Sequence, residues 1–88
     1  MRPEDALVVV LRPYVTEKTF DLIEKQNKLC FLVDPKASKP KIKAAIETLY
    51  QVKVQDVNTA ITIIGKKAFV KLAPESSASD LASKLGLV

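Results

Sequence analysis

The chain has 88 residues, 48% of them hydrophobic, with 14 Lys or Arg against 10 Asp or Glu and a net charge of +4; this suffices for one small core and a single domain, 1–88. There is no His, one Cys and two Gly, which excludes an imidazole base, a Ser-His-Asp triad, an internal disulfide, a Cys-rich zinc site and a glycine-rich phosphate loop. No catalytic constellation, metal or cofactor is expected from what remains, and the lone cysteine fits a reducing, cytoplasmic setting.

The first element is Leu7-Val8-Val9-Val10-Leu11, a continuous apolar run closed by Arg12-Pro13. Its β-branched character predicts a strand buried on both faces and stopped by a proline that has no N–H for the ladder. The apolar stretch from Ala6 to Leu11 is too short for a signal-peptide core or a membrane span. Thr16 is placed to cap a helix, with Val15 and Phe20 as a hydrophobic staple, Phe20 and Ile23 on the core face, and an end at Gln26-Asn27. Lys28 to Val33 predicts a second strand with Leu29, Phe31 and Val33 turned to the core; Cys30 and Leu32 occupy a second face that is also poorly hydrated.

Asp34-Pro35-Lys36-Ala37 makes a turn, and Ser38 caps a helix reaching about Tyr50. Pro40 fits its first turn, where an N–H has no partner to lose. Ile42, Ala45, Ile46 and Leu49 form the stripe that faces the sheet. Val52 and Val54 share one alternating phase and Val57, Ile61 and Ile63 the other. A regular strand keeps its parity, so a bulge or loop is expected near Gln55-Asp56, with the third strand at about 56–64. Gly65 with Lys66 predicts a tight turn, and Lys67 to Leu72 the fourth strand, antiparallel to the third and with Phe69 in the core. Ser77 and Asp80 have capping-box spacing ahead of a last apolar face, Ala78, Leu81, Ala82 and Leu85; Gly86 suits a left-handed cap with Leu87 packed back on that helix. The order β-α-β-α-β-β-α, with two parallel-type crossovers and a hairpin, predicts an α+β fold: a small antiparallel or mixed sheet with helices packed on it.

Charge is unevenly distributed. Residues 36–71 hold eight lysines against Glu47 and Asp56, a net +6, while the segments on either side are each −1. Within this stretch Lys36, Lys39, Lys41 and Lys43 surround the start of a helix with no acid among them. A helix N-terminus carries about half a positive charge and favours acids, so four cations there oppose the dipole unless a polyanion sits against them. Lys66 and Lys67 are expected at a hairpin tip, and Asn58 and Thr59 interrupt a strand with side chains that hydrogen-bond phosphate or 2′-OH groups. A solvated lysine face and a locally satisfied bulge are the plainer readings of the same residues.

Pro13-Tyr14-Val15-Thr16-Glu17-Lys18 resembles the opening motif of the universal large-subunit ribosomal protein family numbered twenty-three. The likeness continues in order through Asn27 to Asp34, Ala37-Ser38-Lys39, Lys41-Ile42-Lys43, Val52-Lys53-Val54, Val57-Asn58-Thr59 and Lys67 to Leu72. The resemblance implies a four-stranded antiparallel sheet with helices, binding of large-subunit ribosomal RNA, and a place at the exit of the nascent-peptide tunnel. It further implies a small helical ribosomal protein, numbered twenty-nine, as neighbour and the signal recognition particle or other nascent-chain factors as docking partners. On this resemblance RNA-binding roles fall on Thr16, Lys18, Lys36, Lys39, Lys41, Lys43, Asn58 and Thr59, with Lys66 and Lys67 as further candidates and Glu17 as the factor-docking acid. Bacterial members carry a long basic insertion between the last two strands; here Ile64-Gly65-Lys66-Lys67 closes the hairpin directly, as in the archaeal type.

Two other readings remain at this level. One is a free-standing RNA-binding or adaptor module of similar topology. The other is a small acyl-phosphate hydrolase built on Arg12 and Asn58, disfavoured because Pro13-Tyr14 follows the first strand where a cradle of N–H groups is needed.

Overall fold

The computed structural model describes residues 1–86. In chain order its elements are α1 (Pro3–Val9), β1 (Val10–Pro13), α2 (Glu17–Gln26), β2 (Lys28–Val33), α3 (Lys39–Tyr50), β3 (Val54–Thr62), β4 (Gly65–Leu72) and α4 (Ala78–Lys84). The four strands form one antiparallel sheet in the order β1-β2-β4-β3. β1 and β2 are antiparallel neighbours joined through α2, so only the β2-α3-β3 passage links strands that run the same way, with β4 between them. The expected pair of parallel-type crossovers is therefore one.

The N-terminal run departs most from expectation. Pro3 to Val9 is helical, and the strand is reduced to Val10–Pro13. Pro3 stands in the first turn with Glu4 and Asp5, which suit the positive end of a helix. Ala6 and Val9, three residues apart, are buried against the core, and α1 packs on α3. Leu7, Val8 and Leu11 are instead 63%, 65% and 60% exposed, so the run is not buried on both faces. Burial of one helical stripe outweighs the β preference of three consecutive valines, a preference that is itself largely packing. Leu11 falls at an irregularity between Val10 and Arg12, which explains its outward position.

The remaining boundaries follow local chemistry. Thr16 caps α2 in a reciprocal box with Thr19: the Thr19 N–H donates to Thr16 Oγ1, and the Thr16 N–H donates to Thr19 Oγ1 at 2.6 Å. Asn27 ends α2 in the left-handed conformation. Ser38 and Ser77 cap α3 and α4 by accepting from the N–H groups of Lys41 and Asp80. The phase break in β3 is a register shift between Val54 and Asp56. The Val54 N–H there donates to Glu47 Oε2 at 3.0 Å. The strand starts two residues earlier than expected and ends at Thr62. The hairpin turn falls on Ile63-Ile64 rather than Gly65-Lys66, with Thr62 paired to Gly65. Gly65, at φ +129, takes the positive-φ position that closes the turn. Gly86 is left-handed at φ +73, as expected; the packing of Leu87 lies outside the described residues.

One face of the sheet carries the core. Leu29, Phe31, Val33, Ala68, Val70 and Leu72 meet Ile42, Ala45 and Ile46 of α3, Ala78, Leu81 and Ala82 of α4, and Ile23 of α2. Phe31 is fully buried and stacks on Tyr50 with ring centroids 5.6 Å apart.

Cys30 lies on the other face of β2 and is also buried. Burial pushes its thiol up to about 11, against the opposing pull of the Lys67 charge. The unfolded thiol ionises first as pH rises, so this contribution to stability is intact below the ordinary thiol value of 9.0 and is lost toward about 11. Iodoacetamide should label Cys30 slowly at pH 8.5 in the folded chain and rapidly in urea. Equal rates in the two states would contradict this burial.

Candidate nucleic-acid interface

The four lysines around α3 do not form one patch. All are exposed, and α3 has no acid in its first turn. At 3.6 residues per turn, Lys39 and Lys43 share a side and Lys41 lies nearly opposite. The structure divides them accordingly. Lys36 and Lys41 line a depression with Met1, Val8, Asp5 and Asp34, while Lys39 and Lys43 line another with Gln55, Asp56 and Val57. Each pair thus stands near at least one carboxylate. Glu47, a possible partner for Lys43, uses a carboxylate oxygen on the Val54 N–H.

A second basic surface comes from strand pairing. Residues directly opposite in an antiparallel sheet share a face. Cross-strand rows on the side away from the core cluster read Arg12–Leu32–Lys67–Ala60, Cys30–Phe69–Asn58 and Lys28–Lys71–Asp56. The rows place Arg12, Lys28, Lys67 and Lys71 on one face with Asp56 as their acid. The buried stripes of α1, α3 and α4 all join the core on the opposite face. Phe69 is only half-buried and belongs to this basic face, which corrects its expected place in the core.

α2 borders this face. Tyr14, whose N–H donates to the Cys30 carbonyl at 2.8 Å, carries its ring under Lys67, with Nζ 4.2 Å from the ring centroid. Tyr14, Thr16, Glu17, Lys18, Thr19, Leu22, Lys67 and Phe69 line one depression between α2 and β4. The sheet thereby gathers Thr16, Lys18, Lys67 and Asn58 from the sequence candidates and adds Arg12, Lys28, Lys71, Tyr14 and Phe69. Two of the added residues, Phe69 and Lys71, had a sequence signal, the alternation Lys67, Phe69, Lys71 against Ala68, Val70, Leu72, which sets basic and apolar faces within one strand; Arg12, Tyr14 and Lys28 had none.

The hairpin and strand-break candidates differ from expectation. Lys66 is not at a hairpin tip: it pairs with Val33 and Ile61 on the core side, and its Nζ donates to the Ala37 carbonyl at 2.7 Å. Lys67 likewise lies within β4. Thr59 pairs with Ala68, on the face opposite Asn58. Glu17 is exposed and borders a further hollow with Val15, Phe20 and Asp21. Among the described residues no three His, Cys, Asp or Glu side chains converge as a metal site, and no helix is long and apolar enough to cross a membrane.

The family described as "Ribosomal protein L23" matches residues 8–71. Two archaeal proteins, each called "Large ribosomal subunit protein uL23", are similar to the chain. They come from Methanothermobacter thermautotrophicus and Methanococcus aeolicus, and each is 46% identical over 84 residues, covering 94% of this chain and 98% of its own. With the fold expected of it and relatives this similar along nearly its whole length, the chain belongs to the ribosomal protein L23 family, whose members are structural, non-enzymatic proteins of the large ribosomal subunit.

Proposed function

We propose that this chain binds large-subunit ribosomal RNA through the sheet face opposite the core, as a structural constituent of the cytoplasmic large subunit near the exit of the polypeptide tunnel. One observation carries the RNA assignment: Arg12, Lys28, Lys67 and Lys71 share a face with Phe69, beside Lys18 on α2. Basic side chains around half-buried rings that line a surface depression match phosphate contacts combined with base stacking. The Asn58 amide, exposed on the same face, supplies hydrogen bonds to sugar or phosphate. Lys39 and Lys43 form a second, subsidiary phosphate contact at the start of α3.

Sedimentation in sucrose gradients tests membership in the subunit, and a salt titration with a folded large-subunit RNA fragment tests the charge. Each neutralised phosphate contributes about −0.7 to −0.9 to the slope of log K against log salt, so four to six contacts predict a slope of roughly −3 to −5. Lys39→Glu with Lys43→Glu should make that slope shallower by about two contacts and leave the melting temperature unchanged or slightly higher, because acids suit a helix N-terminus. A flat titration, or a chain that stays at the top of the gradient, would remove the RNA assignment.

The exit-platform role concerns protein neighbours. The exposed side chains of Leu7, Val8 and Leu11, and of Ile61, Ile63 and Ile64 at the hairpin, supply apolar surface for the small helical ribosomal protein numbered twenty-nine and for nascent-chain factors. Glu17 and Asp21 of α2 flank Phe20 and Val15, the latter just before the helix, in an acidic-rimmed apolar hollow suited to a basic segment of such a factor. Glu17→Ala should not weaken RNA binding or subunit assembly, since it removes only an acid at the rim of the α2–β4 depression, and should weaken docking of the signal recognition particle. Equal particle affinity for ribosomes carrying the two forms would leave Glu17 with its helix-dipole role alone.

A further inference from the structure

We propose that the depression between α2 and β4 receives one unpaired nucleobase of the bound RNA, stacked against Phe69 and Tyr14, with Lys18 and Lys67 holding the flanking phosphates. The proposal rests on the reading that this sheet face binds ribosomal RNA, and it specifies which part of an RNA the depression accepts.

Three features of the depression require more than a basic patch. Phe69 is half-buried on the face away from the core, outside the core cluster, and its side chain lines the depression. Tyr14 stands beside it and is held by the Lys67 ammonium, 4.2 Å from its ring centroid. This contact orients the ring and fixes a cation at the lip of the hollow. Leu22, half-buried on α2, completes an apolar wall, and Lys18 on the same helix supplies a second cation.

The shape and chemistry select an unpaired base. An A-form duplex keeps its bases stacked inside and presents phosphates and 2′-OH groups, which need cations but no aromatic hollow. A base turned out of a loop or bulge has a free π face, and aromatic side chains stack on it with phosphates close enough for flanking lysines. A protein side chain also fits an apolar hollow. Arg12, Lys28 and Lys71 on the same sheet face, together with Lys18 and Lys67, however, outnumber Asp56 on that face and Glu17 at the rim and favour a polyanion.

The two threonines of the depression add little to reading base identity. The Thr19 hydroxyl donates to the Thr16 carbonyl and accepts the Thr16 N–H, while the Thr16 hydroxyl accepts the Thr19 N–H. With the capping box engaging the Thr19 hydroxyl as donor and acceptor and the Thr16 hydroxyl as acceptor, recognition falls mainly to stacking, which tolerates any base.

The test uses the full chain and two RNAs: a single-stranded adenylate hexamer carrying one 2-aminopurine, and a blunt twelve-base-pair RNA duplex. Binding of the hexamer should quench 2-aminopurine fluorescence. Phe69→Leu, which keeps apolar bulk without the π face, should weaken hexamer binding about tenfold and abolish most of the quenching, with duplex affinity unchanged. Tyr14→Leu, in the same lining but outside the core cluster, should act in the same direction and serves if Phe69→Leu lowers the melting point. If the original chain binds both RNAs but the aromatic variants bind the hexamer equally well, or lose both RNAs equally, the base site is overturned while the RNA-binding face stands. Binding without quenching also overturns it and leaves the hollow to a protein side chain. If the original chain binds neither RNA, the RNA-face reading falls and the base site with it.

Discussion

Phe31→Ala is expected to cost about 3–5 kcal/mol of folding stability, the range for truncating a buried phenylalanine. Phe31 is fully buried at the centre of β2, opposite Pro13 and Ala68 and stacked on Tyr50. No nearby side chain is free to fill the void. Ala68 adds little volume, and Ile42 and Ile46 are themselves fully buried on α3. Native domains are held by roughly 5–15 kcal/mol, and chains this short fall toward the lower end. The substitution should therefore populate unfolded protein at 37 °C and move the urea midpoint sharply downward. Phe69→Ala is the comparison that gives the result its meaning. Phe69 is only half-buried and lies on the opposite face, outside the core cluster, so its truncation should cost less than about half as much. Equal losses in urea melts would mean that both rings belong to the core and that the basic face is wrongly assigned.

Asn27→Ala should destabilise the chain by about 3 kcal/mol, although the residue is only half-buried. Its side-chain amide donates to the carbonyls of Leu72, Ala73 and Ser76 at 3.2, 3.3 and 2.9 Å, and its oxygen accepts from the Ala78 N–H at 2.7 Å. The side chain thus ties the α2–β2 junction to the whole passage from β4 into α4. Each net hydrogen bond contributes about 1 kcal/mol, with a larger loss where a buried partner is left unpaired. Asn27 also adopts φ 55, a conformation that asparagine tolerates better than alanine. A fall of about 12 °C or more in melting temperature is expected for a domain of this size. Asn27→Gly separates the causes, since glycine accepts the backbone conformation but makes none of the bonds. Glycine should recover only the smaller, conformational part. A glycine variant as stable as the original would show that the four bonds contribute nothing net.

Asn27 also marks where local reading ends. Its role as the end of a helix follows from its type and its place after Gln26, but its four partners lie 45 to 51 residues away. No local pattern connects them. The same division runs through the fold. The caps at Thr16, Ser38 and Ser77, the α3 stripe, the β2 alternation and the β3 parity break are short-range patterns, and each is present in the structure. The run from Leu7 to Leu11 is where short-range preference misleads. Its valines favour extended chain, and only the docking of Ala6 and Val9 against the core makes a helix the better way to bury apolar surface.

The candidate site divides in the same way. By itself the sequence determined the excess of lysine, the lack of histidine, and the family, through an ordered series of short motifs. Tertiary structure decided which cations act together. Lys36, Lys39, Lys41 and Lys43 are close in sequence, but helix geometry turns them to different sides. Arg12, Lys28, Lys67 and Lys71 are scattered through the chain, and strand pairing brings them to one face with Phe69. A polyanion senses charges within roughly a Debye length in space, about 10 Å at 0.1 M salt. Proximity along the chain is therefore a poor guide to such a surface, whereas register, which strand order and the β1 and β3 irregularities determine, decides it.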